Sequence, residues 1–262
     1  MSLLFLIKKS IKFNLRSKFM LKKIKYIFKE ICPPIVWKII KNYIKKNETE
    51  YKYYGLNQLD KKLESFINFD NGYFVELGAN DGINQSNTYY FEKYRGWSGI
   101  LIEPVGQKYL ECLNNRSDKN KIFCNACVSF DYQEKFVELI YSNLMTIAEN
   151  LENQISNPKE HALKGIQYLD PNEKNYTFGS VAKTLNSILK ISKAPKKIDF
   201  LSLDVEGSEM EVLKGVDHNE FRFNFICVET KDKEKLTNYL YKYNYILVEQ
   251  LSLHDYLYKD AN

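Results

Sequence analysis

Long apolar runs are missing from this sequence: no stretch reaches the roughly 18 uninterrupted apolar residues that a transmembrane helix requires. Cysteine is scarce, with five residues at positions 32, 112, 124, 127 and 227, an odd number in a chain of 262 residues. That argues against a disulfide framework and fits a reducing compartment. Cys124 and Cys127 form a C-x-x-C, but no second pair stands at the spacing of a structural zinc site. They fall in an apolar run, where buried strand cysteines compete with a redox or metal role. No secretory signal is expected, because the opening MSLLFLI places its apolar residues ahead of its charges. The expected location is the cytoplasm. An apolar share of 44% and an aromatic share of 15% exclude wholesale disorder.

What is present is unevenly distributed. The net charge of +5 divides into 13 Lys/Arg against 3 Glu over residues 1–50, and 25 basic against 30 acidic residues over the rest. Met20, Ile24, Ile27, Phe28 and Ile31 share one helical face, with Lys22, Lys25 and Lys29 opposite. Pro33-Pro34 ends that helix, and Val36, Ile40, Tyr43 and Ile44 repeat the pattern more briefly. Residues 1–50 are therefore expected to be a basic amphipathic helical extension. It either lies on an anionic membrane at its inner face or packs on the domain over 51–262. Nucleic acid is not expected as a partner, since the body is acidic and the basic residues are mostly lysines on an apolar helix.

From residue 51 onward, strand-like and helix-like segments alternate. Strands are expected at Tyr73–Leu77, Ser98–Ile102, Lys121–Val128, Phe136–Tyr141, Ile198–Leu203, Phe225–Val228, Tyr245–Val248 and Leu253–Tyr258. Helices are expected at Ser86–Tyr94, Gln107–Asn114, Val181–Leu189, Ser208–Leu213 and Lys233–Tyr241. The alternation predicts an α/β fold, a doubly wound, mostly parallel sheet with helices on both faces. Ligands of such sheets bind beyond the carboxyl ends of the strands. Polar residues collect there: Glu76 to Gly82, Glu103, Asn125 to Ser129, Asp204 to Gly207, and Glu229-Thr230.

The first of these turns reads Gly78-Ala79-Asn80-Asp81-Gly82, and its glycines allow close backbone approach to a ligand. Glu103 follows Gly82 by 21 residues, the spacing of an acid that accepts hydrogen bonds from ribose hydroxyls. A nucleoside ligand is the expectation. Asp81 beside the turn would repel the pyrophosphate of a dinucleotide. A ligand with an ammonium and a sulfonium, such as S-adenosylmethionine, suits it better, with Glu76 facing the ammonium end.

The segments FVELGANDG, SNTYYFEKYRGWSGILIEP, TLNSILK and IDFLSLDVEGSEMEVLKG resemble the FkbM-type S-adenosylmethionine-dependent methyltransferases. The resemblance runs from Tyr73 to the C-terminus and leaves the basic front end outside. It implies a class I methyltransferase, Rossmann-like fold with a seven-stranded sheet whose last strand is antiparallel. By motif, Glu76, Gly78, Asn80, Asp81 and Gly82 would hold the methionine part and Glu103 the ribose, with Asn125 and Ala126 near the adenine. Family members are usually O-methyltransferases acting on sugars or other small hydroxyl compounds. The acceptor is therefore expected to be a carbohydrate or nucleotide-sugar, in polysaccharide biosynthesis.

A sugar hydroxyl is a weak nucleophile, so a base or a metal must assist. Asp204 is the first candidate base. Glu229, at the end of the neighbouring strand, could share a Mg²⁺ with Asp204, oxygen ligands being suited to that ion; the competing reading is helix capping by Asp204 and Glu206. Of the three histidines, His254 sits at the ligand face as a further candidate base, His161 lies in a polar 144–179 segment read as an acceptor lid, and His218 is read as structural. Two rival functions stay open, a nucleoside-dependent oxidoreductase and a non-catalytic membrane-associated binding protein.

Overall fold

The computed structural model describes residues 52–262. The basic amphipathic stretch of residues 1–50, Cys32 included, lies outside the described residues. Helix α1 (Leu59–Glu64) leads into β1 (Tyr73–Leu77), α2 (Tyr89–Arg95), β2 (Ser98–Ile102), α3 (Gly106–Asn115) and β3 (Lys121–Phe123). There follow β4 (Ala126–Val128), β5 (Phe136–Tyr141), β6 (Ile147–Ala148), α4 (Pro158–Lys164) and β7 (Tyr176–Thr184). The chain closes with α5 (Leu185–Ile191), β8 (Lys197–Leu203), α6 (Glu209–Lys214), β9 (Arg222–Glu229), α7 (Lys233–Tyr241), β10 (Tyr245–Gln250) and β11 (Asp255–Asp260).

Seven strands form one sheet in the order β10-β11-β9-β8-β1-β2-β3. β11 is antiparallel to both neighbours, and the pairings from β9 across to β3 are parallel. Alternate residues of the central strands feed two cores, as the period of two demands. Val75, Leu77, Ile100, Leu201 and Ile226 pack with α5, α6 and α7. Phe74, Leu101, Phe200 and Cys227 pack on the opposite face with α1, α2 and α3. Helices therefore cover both faces. The chain runs outward through β2 and β3 on one side of β1, and through β8 and β9 on the other. The order reverses between β1 and β8, where Leu77 pairs with Leu203. Crevices at such reversals are where ligands bind in open α/β sheets.

The sequence pattern did not announce the second sheet, ordered β4-β7-β5-β6. The single strand expected over Lys121–Val128 is two strands, one in each sheet. The chain turns out of the large sheet at Cys124-Asn125, where Asn125 Nδ2 donates to the Val181 carbonyl at 3.0 Å. The helix expected from Val181 starts only at Leu185, because β7 continues through Thr184 in pairing with β4. The Thr184 hydroxyl then caps α5 by accepting from Ser187 N. The helix expected from Ser86 starts at Tyr89, since Ser86 to Thr88 form a turn around the Glu76 carboxylate. No described helix is long and apolar enough to cross a membrane.

Candidate active site

A cavity of about 250 Å³ lies at the reversal point, floored by the ends of β1, β2, β8 and β9. Its other wall comes from the second sheet and the 143–168 segment, through Val137, Leu139, Asn143, Leu144, Met145, Ala148 and Tyr168. Residues expected at the site line it in part: Gly78, Asn80, Glu103, Asn125, Ala126, Asp204 and Glu229 do so.

The turn after β1 is shaped by close approach. Gly78 has φ +75°, and a Cβ there would fall 1.9 Å from the Asp204 carbonyl oxygen, so the β1 and β8 ends meet only through glycine. Its amide and that of Ala79 donate to the Ile102 carbonyl, which ties the turn to β2. Both Glu103 oxygens are anchored from behind, Oε2 by Asn80 N at 2.8 Å and Oε1 by Val105 N at 2.9 Å. Burial nevertheless pushes its carboxyl up to about 7. A carboxylate oxygen has acceptor capacity for a second donor, and this one faces the cavity.

Other expected residues are placed elsewhere. Glu76 turns away from the cavity into the protein, where Ser86 Oγ, Asn87 N and Thr88 Oγ1 donate to it and Arg116 Nη1 stands 3.3 Å away. It braces the turn from below instead of facing an ammonium. Asp81 accepts from Ile83 N and Asn84 N and so shapes the loop. Ala79 is buried in the core below, and Gly82 packs against Cys112 and Arg116. His254 is half-buried in the β10–β11 connection, where its carbonyl accepts from Thr230 N; its side chain does not line the cavity. His218 is buried among Tyr239, Tyr243 and Tyr245, and burial pushes its imidazole down to about 4.

Asp204 is exposed where it opens on the cavity, and its carboxyl is raised well above the usual range. Desolvation by the surrounding protein is the main cause, and Glu229 and Glu206 add like-charge repulsion. Helix capping is not the task of Asp204 or Glu206: α6 has no side-chain cap, and Glu209 in its first turn accepts from Val205 N and Gly207 N of the loop ahead of it. Among the described residues no three His, Cys, Asp or Glu side chains converge as metal ligands, so a Mg²⁺ held by Asp204 and Glu229 has no third such partner.

The 144–179 segment, read from the sequence as an acceptor lid, supplies part of this wall, but the sequence did not show its contacts with the floor. Asn80 Nδ2 donates to Asn143 Oδ1 at 3.2 Å, and His161 Nε2 lies 2.8 Å from Glu206 Oε2. Glu206 belongs to a D-V-E-G string that already stood out at a strand end. His161 is 45 residues away in sequence, and nothing local marks it.

The cavity thus carries Glu103, Asp204, Glu206 and Glu229, and no lysine or arginine among the described residues that line it. An α/β protein with an acidic ligand crevice at the reversal of its strand order is the class that fold and site define. The Methyltransferase FkbM domain model matches residues 76–256, and the chain belongs to that family. No curated protein matches this chain. A solved FkbM methyltransferase from Methylobacillus flagellatus is 16% identical with a TM-score of 0.42, covering 72% of this chain and 44% of that one. This chain thus spans less than half of that relative's length. A putative RNA methyltransferase from Pyrococcus horikoshii is 9% identical with a TM-score of 0.40, covering 78% of this chain and 81% of that one.

Proposed function

We propose that this protein is a class I O-methyltransferase that uses S-adenosylmethionine to methylate a hydroxyl of a sugar or polysaccharide precursor. The observation that carries the reading is the charge of the cavity, four carboxyl side chains and no basic one among the described lining residues. Such a lining repels a pyrophosphate and favours a ligand bearing ammonium and sulfonium charge. Glu103 would hold the ribose hydroxyls through the lone pairs that Asn80 N and Val105 N leave free. Gly78 and Asn80 would border the methionine part, and Asn125 and Ala126 the adenine. The bound donor supplies an electrophilic methyl group on sulfonium sulfur.

The chain's own residues have three tasks. The carboxylates favour binding of the cation, the second-sheet side chains Val137, Leu139 and Ala148 exclude water, and a strand-end carboxylate receives the acceptor's proton. Five carboxamides, Asn80, Asn84, Gln85, Asn125 and Asn143, line the same cavity. Each can both donate and accept, which suits a ligand rich in hydroxyls.

Calorimetric titration with S-adenosylmethionine, S-adenosylhomocysteine and a nicotinamide dinucleotide tests the donor. The first two should bind and the dinucleotide should not; the reverse would end the methyltransferase reading. A screen of nucleotide-sugars for radiolabelled methyl incorporation tests the acceptor, and label confined to non-carbohydrate hydroxyls would overturn that part. Residues 1–50 are proposed to hold the protein on an anionic membrane. Equal binding of the full chain to anionic and neutral vesicles would refute this.

A further inference from the structure

The covering segment reaches the floor of the cavity at one turn. Gln154 N donates to the Gly207 carbonyl at 3.0 Å, and Asn153 Nδ2 reaches the Glu206 carbonyl at 3.4 Å. Gly207, at φ +97°, has no room for a side chain, since a Cβ would fall 2.2 Å from Asn153 Oδ1. Glu206 itself sits at φ +54°, an uncommon conformation for a residue of its kind. Its carboxylate is the point where cavity and cover meet, open to the cavity on one side and 2.8 Å from the buried His161 imidazole on the other.

We propose that Glu206 is the group that takes the proton from the acceptor hydroxyl, and that His161 is the positioning residue behind it. The inference rests on the methyl-transfer reading above. Asp204 is the less suited acid. The protein around it, with the like charges of Glu229 and Glu206, raises its carboxyl well above the ordinary range, which favours its keeping a proton. Glu206 instead has an imidazole partner that can donate a hydrogen bond to the carboxylate and, through the ring, accept charge. Burial raises the Glu206 carboxyl above its ordinary range, while the His161 hydrogen bond works in the opposite direction. The other charged groups acting on it are Glu229 and Lys231, with Asp204 next to them and Glu209 beyond.

In the step, the acceptor oxygen forms a bond to the methyl carbon as the carbon–sulfur bond breaks, and that pair leaves on sulfur as a neutral thioether. The O–H pair stays on oxygen, and the proton passes to Glu206 and then, shared with His161, to solvent. The balance is one hydroxyl and one sulfonium consumed, one ether, one thioether and one proton formed.

The test uses the full-length chain as wild type, Glu206→Gln, His161→Gln and His161→Ala. S-adenosylhomocysteine binding is read by calorimetry. Turnover is read as thioether formed at saturating donor, with water as the hydroxyl and with the best nucleotide-sugar of the screen, from pH 5.5 to 9. Product affinity should stay within about threefold in all variants. Glu206→Gln should lose about 100-fold or more in turnover, together with the acid limb of its pH profile. His161→Gln keeps an amide donor towards Glu206 and should lose less than His161→Ala. Its acid limb should move to higher pH, because the imidazole charge that favours the ionised carboxylate is gone. Where Glu206→Gln does not fold, the two His161 variants decide. Turnover within threefold of wild type in Glu206→Gln overturns the assignment, as does an unmoved acid limb in His161→Gln. An affinity loss matching the turnover loss makes the pair part of donor binding and also overturns it. A wild type that binds no S-adenosylhomocysteine is a different failure, that of the methyltransferase reading itself.

Discussion

Glu103→Gln separates the structural from the ligand-binding role of the acid at the end of β2. In the wild type both carboxylate oxygens accept from backbone amides, Asn80 N and Val105 N. A glutamine can offer only one oxygen, so its NH₂ must face one of those N–H groups. An unmade bond at a buried donor costs about 1–3 kcal/mol, independent of pH. Titration adds a part that does depend on pH. Burial raises the carboxyl from 4.5 to about 7, so between these values the folded state binds more protons than the unfolded one. Stability therefore falls as pH rises through that window, by about 2–3 kcal/mol between pH 5 and pH 8. Glutamine lacks this slope. Urea unfolding of both proteins at pH 5 and pH 8 should show the variant furthest below wild type at pH 5 and nearer to it at pH 8. Donor binding should behave oppositely. Ribose hydroxyls donate to the ionised form, so wild-type affinity should rise with pH towards 8. The variant, losing charge-assisted bonds of about 1.5–3 kcal/mol each, should bind at least tenfold more weakly at pH 8. Parallel stability curves for the two proteins, or threefold-matched affinities, would refute the reasoning.

Four further outcomes follow from the same geometry. Gly78→Ala puts a Cβ 1.9 Å from the Asp204 carbonyl at φ +75°; it should lower the melting temperature and weaken S-adenosylhomocysteine binding by calorimetry. Arg116→Met removes the cation from between Glu76 and Glu92, at 3.3 and 2.5 Å, and should cost about 3–5 kcal/mol in urea unfolding, part of it recovered by adding Glu76→Gln. His218 is pushed down to about 4, so the unfolded state binds more protons between about 4 and 6.5 and stability is lost as pH falls through that range. His218→Phe should flatten that acid-side loss, read as melting temperatures at pH 5 and 7. Gln154→Ala strips Thr230 Oγ1 and Lys231 N of their shared acceptor, and hydrogen exchange should quicken at 230–232 and 153–161 while β1 and β8 amides keep their protection.

The central strands were legible because apolar residues recur over short runs that end in Gly, Asp or Glu, as at FVELGANDG and IDFLSLDVEG. Glu103 was legible through its spacing from the glycine turn. The second sheet was not. Only Cys124 and Asn125 separate β3 from β4, too little to break an apolar run. In β7 the spacing of Val181, Leu185 and Leu189 imitates a helix face that really begins at the Thr184 cap. Glu76 was misread for a related reason. An acid at a strand end says nothing of which way it faces, and the arginine that claims it stands 40 residues further on. Partnerships over such distances are properties of the fold, and a local pattern holds no trace of them.

Four of the nine described non-glycine residues with positive φ line the cavity. Asn80, Gln85, Asn143 and Glu206 all have positive φ, at 46°, 60°, 52° and 54°, and all four line the one cavity. Asparagine enters this region at low cost because its short amide can bond to nearby backbone, as Asn80 Oδ1 does with Asp81 N. Gln85 and Glu206 have no such local relief, and residues held in sparsely populated conformations cost of order 1–3 kcal/mol each. They must be held by contacts with segments distant in sequence. Gln85 bridges to Gly55, and Glu206 is fastened by Asn153 and His161. The contacts that offset the strain are thus the same ones that close the cover onto the floor. Five further residues with positive φ, Asn57, Gln58, Asn71, Lys193 and Asn244, do not line the cavity, so the torsions alone do not single out a site. What distinguishes Glu206 is that the contacts holding it come from the cover, which ties the order of the second sheet to the shape of the cavity beneath it.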